Sequence, residues 1–139
     1  MNGKVFVDTN VLVYAYDNAA GEKRQRAQVV LEELWRERTG ALSMQVLQEF
    51  YVTVTRKLAS PVSRAKAQLI AGQYAQWCIA TGPEELAAAF AIEEGARIGF
   101  WDALIVAAAA KAGAGRILSE DLNSGQRIAG IPVENPFVA

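Results

Sequence analysis

The stretch KVFVDTNVLVYAYD (residues 4–17) decides how the rest of the chain is read. Lys4 to Asp8 is β-branched and aromatic and ends on a polar residue, the pattern of a short buried strand. Thr9 and Asn10 are residue types that cap helices, and Val11 to Asn18 continues as one. A strand that feeds directly into a helix through an aspartate is the opening of a βα unit. The question is whether the unit repeats.

It does. Ala20-Gly21 breaks the chain, and a charged amphipathic helix follows from Glu22 to Arg38, with Ala27, Val30, Leu31, Leu34 and Trp35 at helical spacing. Gly40 is expected to stop it. Ala41–Ser43 reads as a second strand, with Ser43 capping a helix from Gln45 to Leu58; Arg64–Gln76 is a further helix. Trp77–Thr81 reads as a strand, Glu84–Ile98 as an alanine-rich helix. Asp102 is expected to open the helix DALIVAAAAKAG (102–113), which is apolar on nearly every side and so belongs inside a domain. Arg116–Ser119 and Ile131–Val133 are strands, the last of them expected at a sheet edge. Strands alternating with helices predict an α/β protein, a three-layer α/β/α sandwich around a mainly parallel sheet, with residues 1–139 as one domain.

Composition narrows the chemistry. The 139 residues are 52% hydrophobic, enough for a real core, and no apolar run approaches the ~20 residues that cross a bilayer. Without a signal-peptide layout, a cytoplasmic protein is expected. Cys78 is the single cysteine and there is no histidine. This excludes Ser-His-Asp and Cys-His catalysis, histidine-based ribonuclease chemistry, and zinc or iron bound through those side chains. Any hydrolysis falls to carboxylates, which suit hard ions such as Mg²⁺ or Mn²⁺.

Ligands of such sheets bind outside the carboxyl ends of the strands. Asp8 ends the first strand, and Asp121 follows the strand that ends at Ser119. Asp102 stands in a first helical turn, where the helix dipole favours an anion. Glu49 lies one turn into its helix, beside the apolar stripe of Val46, Leu47, Phe50, Val54 and Leu58. Each has a plain alternative: helix capping for Asp8, a dipole partner for Asp102, solvation for Glu49, a turn for Asp121. Asp17, Glu93, Glu94 and Glu120 read as structural or solvated. Four acids on one sheet edge require cations to neutralise them. One or two ions there would activate water against a phosphodiester.

The segments VDTNVLVYAYD (7–17), SMQVLQEFY (43–51), FWDALIVAAA (100–109) and ILSEDLNSGQ (117–126) together resemble the PIN-domain nucleases, most closely the VapC-type toxins of bacterial toxin–antitoxin pairs. By that resemblance Asp8, Glu49, Asp102 and Asp121 match an acidic quartet that binds Mg²⁺ or Mn²⁺, with Asn10 and Ser119 as the polar residues supporting it. It implies an endoribonuclease that leaves a 5′-phosphate and a 3′-hydroxyl, commonly on structured RNA such as transfer RNA. It also implies a homodimer and a cognate antitoxin that inserts a segment into the acidic pocket. Glu120 neighbours Asp121, but the Ser-x-Asp spacing favours Asp121.

With 14 basic against 15 acidic residues, overall charge does not attract RNA, and a local basic rim is needed. Its candidates are Lys23, Arg24, Arg26, Arg56, Lys57, Arg64, Lys66 and Arg127, and Tyr14, Tyr16 and Tyr51 are candidates for stacking on unpaired bases. Two other readings stand beside this one. In a haloacid-dehalogenase-like phosphatase Asp8 would be the nucleophile, although the second aspartate expected two residues on is Asn10. The other is an inactive PIN-like interaction module.

Overall fold

The computed structural model describes residues 3–122 and 124–138. Its core is a six-stranded sheet. In chain order the elements are β1 (Lys4–Val7), α1 (Thr9–Tyr14), α2 (Glu22–Glu37), β2 (Gly40–Ser43), α3 (Met44–Arg56) and α4 (Arg64–Tyr74). After a single 3₁₀ turn come β3 (Cys78–Ile79), α5 (Pro83–Ala96), α6 (Phe100–Lys111), β4 (Ala114–Leu118), β5 (Arg127–Ile128) and β6 (Ile131–Glu134). The strands lie in the order β3-β2-β1-β4-β6-β5, all parallel except β5, which runs antiparallel to β6.

The order explains the layers. Connections from β1 to β2 and from β2 to β3 step in one direction across the sheet, and the return from β3 to β4 steps back. Right-handed crossovers then put α1–α4 on one face and α5–α6 on the other. Contacts agree: α1 packs on α2 and α3, α3 on α4, and α5 on α6. The direction reverses between β1 and β4, which opens a crevice at their carboxyl ends. Phe6, Val7, Val11, Leu12, Leu42, Phe50 and Ile117 are fully buried beneath it, so the strand ends are anchored in the core. Among the described residues no helix is long and apolar enough to cross a membrane.

Several boundaries differ from the sequence expectation. Helix α1 stops at Tyr14 rather than Asn18, and Asp8, not Thr9 or Asn10, is its N-cap. The end of α2 is made by Arg38 in the left-handed region (φ 59°), while Gly40 is already in β2. A side chain on Gly40 would place its Cβ 2.6 Å from the ring of Trp77, so the residue serves close packing. The expected strand 77–81 shortens to Cys78–Ile79 because Ala75–Trp77 closes α4 as a 3₁₀ turn. Helix α6 begins at Phe100, capped by Gly99, so Asp102 lies inside its first turn instead of opening it. Strand β6 is not an edge: β5 pairs with it through a tight turn in which Ala129 and Gly130 both have positive φ.

Candidate active site

The crevice is an open cavity of about 690 Å³, and Asp8, Glu49, Asp102 and Asp121 all stand on its wall. Four different elements deliver them. Val7 pairs with Leu118 in the β1–β4 register, so the residues that follow, Asp8 and Ser119, emerge side by side. Asp102 comes from the first turn of α6 and Glu49 from the second turn of α3.

Asp8 is the buried member, 7% exposed. One carboxylate oxygen, Oδ1, accepts from the Thr9 backbone N–H at 2.7 Å, and Oδ2 accepts from the Ser119 hydroxyl at 2.7 Å. Burial pushes its pKa up from 3.8 to about 6; the two hydrogen bonds oppose the rise and the charges of Asp102 and Asp121 add to it. Asp102 is also raised, first by burial and then by Asp121 and Glu49. Asp8 and Asp102 thus feel the charges of neighbouring acids across the cavity.

Neutral side chains hold them in place. The Thr9 hydroxyl donates to Glu49 Oε1 at 2.8 Å. Asn10 Nδ2 donates to Asp121 Oδ2 at 3.1 Å while Asn10 Oδ1 accepts from the Glu120 N–H at 3.1 Å. Ser119 Oγ, besides donating to Asp8, accepts from the N–H groups of Asp121 and Leu122, both at 3.2 Å. The tripeptide Asp8-Thr9-Asn10 therefore contacts the supports or side chains of two of the other three acids. Thr9 was legible only as a helix cap; its bond to Glu49 spans forty residues and needs the packing of α1 on α3.

The neighbouring acids separate cleanly. Glu120 turns to the Tyr14 hydroxyl and to an ion pair with Lys23. Burial alone would raise Glu120, but those two partners outweigh it and hold it below the usual carboxylate range. Asp17 reaches the cavity wall but accepts from the Ala19 N–H. Glu93 and Glu94 lie on α5, away from the cavity.

Of the basic candidates, Lys57 is the one cation among the described residues of the cavity wall. Lys23 is paired with Glu120, Arg26 donates to the Pro136 carbonyl, and Arg127 to that of Gly130. Arg24 and Lys66 line a separate hollow beside Pro61. Tyr14 lines the cavity with its ring edge-on to Phe137 and its hydroxyl donating to Glu120, whereas Tyr16 lies against Phe50 and Tyr74, and Tyr51 accepts from Gln68. Trp101, by contrast, projects into solvent on the cavity rim, 64% exposed.

Among the described residues no three His, Cys, Asp or Glu side chains stand close enough together to hold a metal ion as they are. The donors are all carboxylate oxygens, exposed or partly exposed except for the buried Asp8. That arrangement fits a hard divalent ion that keeps several of its waters, and does not fit a tetrahedral zinc centre.

The PIN-domain family model matches residues 5–129, which include all four acids and their supports. Among solved structures the fold resembles one described as a toxin–antitoxin complex from Klebsiella pneumoniae, at a TM-score of 0.69 and 19% identity over 96% of this chain and 98% of that one. It also resembles one described as VapBC2 from Rickettsia felis bound to a DNA fragment from the promoter, at a TM-score of 0.65 and 20% identity over 94% and 97%. No curated protein matches the chain. The chain belongs to the PIN-domain family, a family of nucleases.

Proposed function

We propose that this chain is a Mg²⁺- or Mn²⁺-dependent endoribonuclease and the toxin of a toxin–antitoxin pair. The observation that carries the reading is the convergence of Asp8, Glu49, Asp102 and Asp121 on one cavity, each supported by a neutral donor or a helix terminus. Such a site repels anions until a cation enters, so binding metal and accepting a phosphodiester are coupled. A bound ion supplies positive charge against the phosphate and lowers the pKa of water.

The residues of the chain itself set the geometry. Asp8, Asp102, Asp121 and Glu49 would hold the ion or ions. Ser119 and the Thr9 N–H fix both oxygens of Asp8, so its orientation does not depend on the ligand. Thr9 and Asn10 restrain the more exposed Glu49 and Asp121. The amides of Gln45 and Gln48 line the same wall and offer neutral donors to a polyanion. Asn10, bonded to Asp121 and the Glu120 N–H, is not free for the acid–base work that a phosphoaspartate mechanism asks of that position. An inactive module would have no use for four restrained acids around one opening.

The partners follow from the same reading: RNA, with transfer RNA as one substrate class, a cognate antitoxin, and a second copy of the chain in a cytoplasmic homodimer. Both structural neighbours come from toxin–antitoxin assemblies. Protein purified free of antitoxin should cleave RNA with Mg²⁺ or Mn²⁺ and fall to background in EDTA, and Asp8→Asn and Asp102→Asn should each be inactive. Full activity in EDTA, or in Asp8→Asn, overturns the mechanism. Expression without the neighbouring gene should arrest growth, and co-expression should relieve it.

A further inference from the structure

One wall of the cavity is formed by α3. Gln45, Gln48, Glu49, Val52, Thr53 and Lys57 line it, at positions i, i+3, i+4, i+7, i+8 and i+12 of one helical face. At 1.5 Å per residue, that face is about 18 Å long. Stacked nucleotides rise roughly 3.4 Å each, so the face is long enough for a short run of them.

The two ends differ in chemistry. At the α3 start, Gln45 Nε2 donates to the Trp101 carbonyl at 3.3 Å, which ties the indole-bearing turn of α6 to this wall. The Trp101 ring is braced edge-on by Phe100 (centroids 5.2 Å apart, 68°), and Phe100 rests on Phe90. Phe100 thus braces a large apolar side chain that stays 64% exposed, next in sequence to Asp102. At the other end stands Lys57.

An apolar protein segment seated on Trp101 would bury the neighbouring carboxylates and amides without partners, which is costly. An unpaired nucleotide meets both demands, because its base has a π-face for the indole, polar edges for the glutamines and a phosphate for the lysine. Resting on the ribonuclease reading above, we propose that single-stranded RNA runs along α3, with one unpaired base stacked on Trp101 and a phosphate on Lys57. Trp101 then determines specificity, favouring substrates with an unpaired base next to the cleaved bond.

The test uses full-length protein carrying Asp8→Asn to prevent cleavage, in Mg²⁺ buffer. The probes are a fluorescein-labelled unstructured RNA of about ten nucleotides and the blunt duplex of the same sequence. Trp101→Ala should weaken single-strand binding by roughly 5- to 150-fold and barely change the duplex, while Trp101→Phe retains most of the affinity. Lys57→Ala should flatten the slope of log affinity against log salt by about 0.7. Single-stranded RNA should quench tryptophan emission in the parent and not in Trp101→Phe, since Trp35 and Trp77 pack against each other and do not line the cavity. The quench decides the matter even if Trp101→Ala fails to fold.

Unchanged single-strand affinity in Trp101→Ala, equal losses on both probes, or absent quenching overturns the proposal. Unchanged RNA binding with an altered elution volume also overturns it and assigns Trp101 to a protein interface. If wild-type protein cleaves RNA and Trp101→Ala cleaves the same unpaired substrate equally well, the stacking proposal alone fails. If wild-type protein cleaves no RNA with either metal, the ribonuclease reading fails first.

Discussion

Replacing Asp8 by asparagine should stabilise the metal-free protein near neutral pH while removing its activity. Asp8 is 7% exposed, and its pKa stands at about 6 against an ordinary 3.8. An acid whose folded pKa is raised holds its proton more tightly when native, so stability falls as pH rises through that interval. Two pKa units correspond to roughly 3 kcal/mol, absent below about pH 4 and fully felt above about pH 6. Asparagine carries no charge and escapes this penalty.

It loses something else. Asparagine Oδ1 can still accept from the Thr9 N–H, but its Nδ2 would face the Ser119 hydroxyl, whose oxygen already accepts from Asp121 and Leu122. A donor set against an occupied group costs about 1 kcal/mol. The net expectation is a gain of about 2 kcal/mol near pH 7 and a loss of about 1 kcal/mol near pH 4. At about 4 °C per kcal/mol, the melting temperature near pH 7 rises by ~8 °C. Urea denaturation followed by circular dichroism, in EDTA at both pH values, measures the reversal. Mg²⁺ at about 100 times its Kd would add ~2.7 kcal/mol to the wild type alone and close the gap. An Asp8→Asn protein less stable near pH 7, or displaced equally at both pH values, refutes the burial argument.

Ser119→Ala removes a fully buried hydroxyl that donates to Asp8 and accepts two N–H groups, and should cost about 2–3 kcal/mol in urea denaturation. Losing that donor should also raise the pKa of Asp8 further, displacing the acid limb of the pH–rate profile to higher pH. Glu120→Gln should retain cleavage and change stability by about 1 kcal/mol or less, because its ion pair with Lys23 is partly exposed to solvent. Asp121→Asn should abolish metal-dependent cleavage, and the opposite result in these two variants would exchange their roles. Gly40→Ala drives a Cβ to 2.6 Å from the buried Trp77 ring and should lower stability by about 1–3 kcal/mol, with cleavage retained once the protein is folded.

Sequence reading found every α-helix and every strand except β5, the bounds holding best where a long apolar stretch decides the matter, as in α2, α3 and α6 and the buried strands β1, β2 and β4. It missed β5, because two residues carry no period and the turn that pairs them with β6 is Ala129-Gly130, not a recognisable Asn-Gly. It placed the start of α6 at Asp102 because an acid suits a first turn, whereas Gly99 begins the helix without any side-chain cap. The acids themselves were legible as strand ends and first turns. Their restraints were not, since Ser119 meets Asp8 only because β4 lies beside β1, across 111 positions of sequence.

The sequence posed helix capping and metal binding as rival explanations of Asp8; the structure shows the capping, and the proposed metal role is compatible with it. One oxygen caps α1 through the Thr9 N–H and the other is held by Ser119, so the carboxylate is fixed by the first turn it starts. Capping is worth about 1 kcal/mol, less than the roughly 3 kcal/mol that burying its charge costs. A residue chosen for capping alone would be Ser or Asn, which cap as well without the charge. On the proposed reading, a cation in the crevice would offset the remainder, which gives aspartate an advantage there that a neutral cap lacks.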